Sequence, residues 1–339
     1  MSPPLTRRRA LGSIASTTLL AGCVSGIPGT GDNYPSKPIT WEVPASPGGG
    51  ADTYARAIAP GLSESLDVEV RPNNTPPISQ MLERNWSKDE GYTISSYATA
   101  IGAAQLVENG KDSKWNAANW ALIGSPIEAP FAIYFSTESD VDSWEDAVRQ
   151  SQEQNRVFNF ASVLPDPIIY YYLDSLTDLK VKQVTGFDGT SDMISQMERG
   201  QIHLSHFPIS SAIPFVQEDI VKPILARKPI PEVAVSAYKE MGYEGVAPRP
   251  ESVGLSELRN LLVQYRAIIT SPDIATDRRD ALRDGFWEAI TSDDIQKSLR
   301  DKGRPVAPIK GSELNTKLIE LADSLISVAE DVGYTDRTS

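Results

Sequence analysis

The sequence predicts an α/β protein with mostly parallel sheets, and three observations carry that prediction. Segments rich in β-branched and aromatic residues alternate with segments of helical apolar spacing. Glycine and proline punctuate the chain at short intervals. The 339 residues are enough for about two domains, each with its own core.

The elements follow in order. Residues 38–43, PITWEV, read as a strand, and Gly48, Gly49 and Gly50 lead from it into a helix. Ala51, Tyr54, Ala55, Ile58 and Leu62 share one face of that helix, and Pro60 predicts a kink or break. A strand over 68–70 gives way to RPNNTPP, expected to be an irregular loop. Residues 92–97, 121–124 and 131–135 read as strands, 141–150 as a helix, 157–161 as a strand and 168–177 as a helix. A strand over 181–184 precedes a helix over 192–199 that Gly200 ends. Residues 202–207 and 221–225 are strand candidates, and 233–241 is a helix ended by Gly242. Strand character returns over 261–269. The remainder is helical except for a short strand near Val306, and Leu314, Leu318, Leu321, Leu325 and Ile326 stripe the last helix.

Composition narrows the function classes. The 32 basic and 45 acidic residues leave a net charge of -13, with the acids spread along the whole chain. Without a basic cluster beyond the N-terminus, such a surface repels nucleic acid, so that partner class is excluded. A strongly hydrated acidic surface fits a protein working in high salt.

The N-terminus reads as an address. TRRRALGSIASTTLLAGC has paired arginines, an apolar run too short to span a bilayer, and Leu20-Ala21-Gly22-Cys23 at its end. This pattern is expected of a twin-arginine signal over 1–22 with a lipobox, which makes Cys23 the lipidated first residue of the mature chain. Without that context the only cysteine would be an incidental thiol, and it permits no disulfide within the chain. Residues 23–33 then form a flexible tether, leaving the protein exported and held by lipid to the outer face of the cytoplasmic membrane.

The glycine triplet between strand and helix is a ready anion site, because free N–H groups and the helix dipole converge there. It is not a P-loop, since no Lys follows, and it is not a dinucleotide loop, since Thr53 stands where the third glycine belongs. A tight turn without a ligand is the alternative, and Asp52 there can simply complement the dipole. His203 and His206 lie in strand context, where their spacing sends them to opposite faces, so no metal is expected. Neither HExxH, GxSxG nor CxxC occurs, so no catalytic residue is assigned. Tyr170, Tyr171 and Tyr172 read as helix packing, with a cleft role as the alternative.

Five stretches in order resemble one family. YPSKPITWEVPASPGGGADTYARAIAPGLSESL, DEGYTI, RVFNFAS, GFDGTSDMISQMERGQIHLS and LRDKGRPVAPIKGSEL are similar to motifs of the substrate-binding proteins of tripartite tricarboxylate transporters, the Bug family. The resemblance runs from about Tyr34 to Tyr334. It implies a two-domain Venus-flytrap fold of the type II periplasmic-binding-protein kind. Domain 1 would be 34–133 plus 266–339 and domain 2 would be 134–265, with crossovers near 131–135 and 262–269.

The resemblance also implies a carboxylate gripped in the cleft by backbone N–H groups and water, with no cofactor and no chemistry. The first loop would supply Ala45, Ser46, Pro47, Gly48, Gly49, Gly50 and Asp52. The second would supply Ser162, Val163 and Asp166, although two prolines there replace the family's glycines and remove donors. Phe187, Gly189 and Thr190 would form a third wall, with a plain surface turn as the alternative. The implied protein is an extracytoplasmic monomer that hands a small organic carboxylate to the transporter's membrane subunits. A ligand-presenting subunit of a sensor and an extracellular hydrolase are the other readings.

Overall fold

In the computed structural model the described residues are 34–75, 77–84, 86–88, 90–162, 167–187, 190–227 and 247–334. The first strand, β1 (Ile39–Val43), buries four of its five side chains, and the glycine turn leads directly into helix α1 (Gly50–Leu66). Tyr54, Ala55, Ile58 and Leu62 are buried on α1 as the spacing predicts. Pro60 does not break the helix: it sits on the exposed side, where the carbonyl it leaves without a donor can bond water.

RPNNTPP is not a loop throughout. Strand β2 (Val70–Asn74) runs through its first four residues, parallel to β1, with Pro72 paired to Trp41. A proline is tolerated because β2 lies at the end of the strand order, where its missing donor costs no ladder bond. The remaining described strands are β3 (Thr93–Ala98), β4 (Ala121–Ser125), β5 (Glu128–Ser136), β6 (Phe158–Ala161), β7 (Val181–Val184), β8 (Leu204–Pro208), β9 (Val221–Ala226), β10 (Val263–Thr270) and β11 (Ile309–Lys310).

The helices expected near 141–150, 168–177 and 192–199 form as Trp144–Glu153, Pro167–Leu176 and Thr190–Glu198. Ser143 caps the first by accepting from the Asp146 N–H at 3.1 Å. Two helices depart from the sequence pattern: Ala103–Asn109, which is only two turns long, and Ile209–Gln217, which contains Pro214 and follows β8 without a break. The helix expected over 233–241 lies outside the described residues. At the C-terminal end, Gly311–Asp331 buries Leu314, Leu318, Leu321 and Leu325, with Ile326 half-buried.

The sheet is mixed rather than mostly parallel. Its path is β2-β1-β3-β10-β5-β8-β6-β7, with β4 and β11 joined through β10 and β9 joined to β5. The β1/β2, β1/β3, β6/β7 and β6/β8 pairs are parallel, whereas every pair through β5 or β10 is antiparallel. These two strands explain the difference, because they run between the sheet's halves in opposite directions. Each changes neighbours midway: β5 pairs β10 over 128–130, then β8 and β9 from Phe131 onward. Likewise β10 pairs β5 over 263–265, then β3 and β4 from Arg266 onward.

Beside this exchange the buried Glu128 gathers two half-buried cations. The Glu128 carboxylate pairs with Arg227 and accepts from Lys317 Nζ at 3.1 Å, so the start of β5, the end of β9 and the last helix meet at one acid. No helix among the described residues is long and apolar enough to cross a membrane.

Candidate functional site

The glycine turn is held from behind by Asp52. Its Oδ2 accepts from the Gly48 N–H at 2.9 Å, and its Oδ1 accepts from Arg56 Nε at 2.8 Å and Asn74 Nδ2 at 3.0 Å. Asn74 Nδ2 also donates to the Ala45 carbonyl at 2.9 Å, so the end of β2 clasps the turn. Gly48 adopts φ +78°, which a side chain would strain. Gly49 caps α1 without a side chain, leaving the first-turn N–H groups of Gly50 and Ala51 without intrahelical acceptors.

Burial alone would raise the Asp52 pKa. The bonds from Arg56, Gly48 and Asn74, with the Arg56 charge, more than offset that and hold it below its ordinary 3.8. A carboxyl depressed on folding contributes stability that is fully present above its unfolded value and is lost as pH falls through the folded one. Asp52→Asn should therefore flatten the loss of stability below about pH 4. Urea midpoints taken from pH 5 to 2 on both proteins check this, and parallel curves would show that Asp52 contributes nothing to the acid limb.

In front of the turn is a cavity of about 320 Å³, beside the strand exchange. Ala45, Gly50 and Ala51 form one wall. β10 contributes Gln264 and Arg266, which point to one face as residues two apart must, and β3 contributes Ser96 and Ala98. Phe131 of β5 and His206 of β8 close the far side, and Arg304 enters from the loop before β11. Among the described residues, no acid lines this space.

Two guanidinium groups converge here on one tyrosine. Arg266 lies over the Tyr54 ring at 5.7 Å, and the Tyr54 hydroxyl donates to the Pro305 carbonyl at 2.5 Å, beside Arg304. Burial pushes the Tyr54 hydroxyl up to about 12 while the charges of Arg266 and Arg304 pull it down, so it stays a neutral donor. Arg304 Nε is buried and has no hydrogen-bond partner among the described residues. Gln264 is 3% exposed and lines the same cavity. Buried polar groups of this kind are satisfied by ligand or water.

Gly50 answers why a third glycine stands in the turn. A Cβ there would meet the Arg266 guanidinium at 2.9 Å. That neighbour is the far end of a flexible side chain, so Gly50→Ala should fold normally but displace Arg266 from the helix terminus. The expected loss is about tenfold in anion affinity, the lower end of what a charge-assisted hydrogen bond is worth. Titration calorimetry beside a thermal melt separates the two effects; an unchanged affinity would mean that Arg266 does not act from this position.

The other sequence-derived site residues are placed as follows. Ser46, Pro47, Gly48 and Gly49 build the turn without lining the cavity, and Asp52 is turned into the clasp. Ser162 follows β6 with its hydroxyl buried and, among the described residues, unpartnered; it stands outside the cavity lining. Phe187 is half-buried between β7 and the helix Thr190–Glu198, which Thr190 opens. Cys23, Val163, Asp166 and Gly189 lie outside the described residues.

Several residues of the site carry only a faint signal in the sequence. For Arg266 and Gln264 that signal is two polar residues in the otherwise apolar and aromatic VQYRAII, where burial without a partner is costly. His206 and His203, three apart, invite comparison only as a metal pair. In the structure the His206 ring stacks on Phe160 at 5.8 Å, while His203 Nδ1 accepts from the Asn159 N–H at 2.7 Å. Of the three tyrosines, Tyr172 is buried in the core and Tyr170 stacks behind Phe160 at 6.2 Å.

No family profile matches the chain. Over 43 residues it is 49% identical to the "UPF0065 protein in tcbD-tcbE intergenic region" of Pseudomonas sp. strain P51, a stretch that is 13% of each chain. Among solved structures it superposes on a TctC solute-binding protein from Polaromonas with TM-score 0.67 at 14% identity, covering 88% of this chain and 99% of that one. The periplasmic binding protein BugD gives 0.66 at 14% identity, covering 88% and 99%. MatC from Rhodopseudomonas palustris, with bound malate, gives 0.64 at 16% identity, covering 87% and 99%. The chain therefore has the α/β Venus-flytrap fold of periplasmic binding proteins. At these identities the likeness speaks for the fold alone.

Proposed function

We propose that the protein is an extracytoplasmic solute-binding protein that captures a small organic carboxylate between two lobes and releases it unchanged. The observation that carries this reading is the cavity itself. Arg266, Arg304 and the open first turn of α1 converge in a space that no described acidic residue lines, in a chain whose net charge is -13. At about 320 Å³ the cavity sits at the small-molecule end of binding sites, which run from roughly 300 to 1,000 Å³. The malate held by MatC, on the same fold, supports an acid of this size.

The lobes are 34–133 with 266–339, and 134–265, since β5 and β10 change neighbours at Phe131 and Arg266. Strands that pass between halves in this way are natural hinges, and closure is driven by a ligand that draws donors from both sides. The N-terminal pattern supports export through 1–22, lipidation at Cys23 and a tether over 23–33, leaving a monomer that presents its ligand to the membrane subunits of a tripartite tricarboxylate transporter. The acidic surface suits high salt, where a Debye length of about 3 Å at 1 M keeps distant surface charge from opposing an anion in the cleft.

A thermal-shift series against mono-, di- and tricarboxylates, amino acids and sugars tests this. A ligand at a hundredfold excess over its Kd adds about 2.7 kcal/mol to folded-state stability, which a melt resolves. Stabilisation by an acid supports the reading, and stabilisation by a sugar alone contradicts it.

A further inference from the structure

The two ends of the cavity differ in chemistry, and that difference specifies the ligand further. Cations and open N–H groups gather at the α1 end, on Arg266, Arg304, Gly50 and Ala51. Across β5 and β8 the lining is Phe131, His206, Phe207 and Pro208, with Ser211 just beyond β8, and no arginine or lysine is among the described lining residues there. Phe131 pairs with Pro208 across the β5/β8 ladder while its own N–H bonds the Leu262 carbonyl, so this wall begins one strand, about 5 Å, from β10 and extends to β8.

Phe131 and His206 are also the cavity end of an aromatic column. Their rings are 5.7 Å apart; His206 then lies nearly parallel to Phe160 at an interplanar angle of 10°, and Phe160 stacks on Tyr170 at 26°. Such a column presents a polarizable aromatic surface, with Phe131 tilted by 38° against His206, to whatever fills the cavity. A second carboxylate here would find only the hydrogen-bonding groups of His206 and Ser211 and no arginine or lysine to offset its desolvation, whereas an aromatic ring would pack on Phe131 and His206.

Resting on the carboxylate reading above, we infer that the ligand is an aromatic monocarboxylate, its charged end on Arg266, Arg304 and the first turn of α1 and its ring against Phe131 and His206. Gln264, Ser96 and Ser211, which also line the cavity, supply further polar contacts. Titration calorimetry of the full chain with benzoate, phenylacetate, malate, adipate and citrate in one buffer tests this. Benzoate or phenylacetate should bind at least about tenfold more tightly than malate or citrate, the discrimination that one unpaired buried polar group imposes. Tighter binding of a di- or tricarboxylate overturns the aromatic assignment while leaving the carboxylate reading in place. Binding of no acid overturns both. Phe131→Leu keeps an apolar side chain but removes the ring, and should weaken the aromatic acid about threefold to tenfold more than it weakens adipate. Equal losses would show that Phe131 only shapes the cavity, and would also overturn the assignment.

Discussion

Arg266→Met is expected to abolish useful carboxylate binding while leaving the fold intact. The guanidinium stands at the junction of the Tyr54 ring, the Gly50 backbone and the cavity, where β10 changes neighbours. Removing one partner of a desolvated charge pair costs about 2–5 kcal/mol, or roughly thirtyfold to several thousandfold in Kd. Methionine keeps much of the apolar stem against Tyr54, so packing changes little. The contrast with Gly50→Ala is informative, because that change moves the same group without deleting its charge. Calorimetry should order the affinities as wild type, Gly50→Ala, then Arg266→Met. If Arg266→Met binds like wild type, the anion site lies elsewhere.

Gly311→Ala is expected to be the most destabilising single methyl group in the chain's C-terminal half. Alanine normally gains about 1 kcal/mol over glycine inside a helix. Here a Cβ would stand 2.3 Å from the Leu122 carbonyl oxygen and 2.9 Å from that of Ile123, both backbone atoms of β4. Arg283 closes the third side, its Nε 2.8 Å from the same Cβ position and donating to the Leu122 carbonyl at 2.8 Å. No side-chain rotation relieves this, so the start of the last helix must move off the strand. Overpacking of this severity costs about 3 kcal/mol, which outweighs the propensity gain. A fall in urea midpoint at unchanged m value would confirm it, and a midpoint equal to or above wild type would contradict the close approach.

Much of this protein is legible in its local sequence chemistry. The strand ending at Val43, the three glycines and the buried face of α1 follow from alternation, turn residues and helical spacing, and all three form where expected. The second strand is obscured because Pro72 and two asparagines mimic a loop, although an edge position tolerates them. The partner exchange of β5 and β10 is invisible to local patterning, since pairing between segments far apart in the chain is decided by packing. For the same reason the glycine turn reads as an anion site without its arginines, which come from β10 and from the loop before β11. Asp52 reads in the sequence as an acid complementing the helix dipole, with a ligand role implied only by the family resemblance, and in the fold its carboxylate accepts from Gly48, Arg56 and Asn74.

Whether Arg266 holds an organic acid is decided by a calorimetric titration of small organic acids into wild type and Arg266→Met, under conditions where both melt cooperatively. Saturable binding of at least one acid to wild type, and loss of that binding in the variant at the same concentrations, is the expected result. Binding that survives in Arg266→Met, or a wild type that takes up an uncharged solute and no acid, would contradict it.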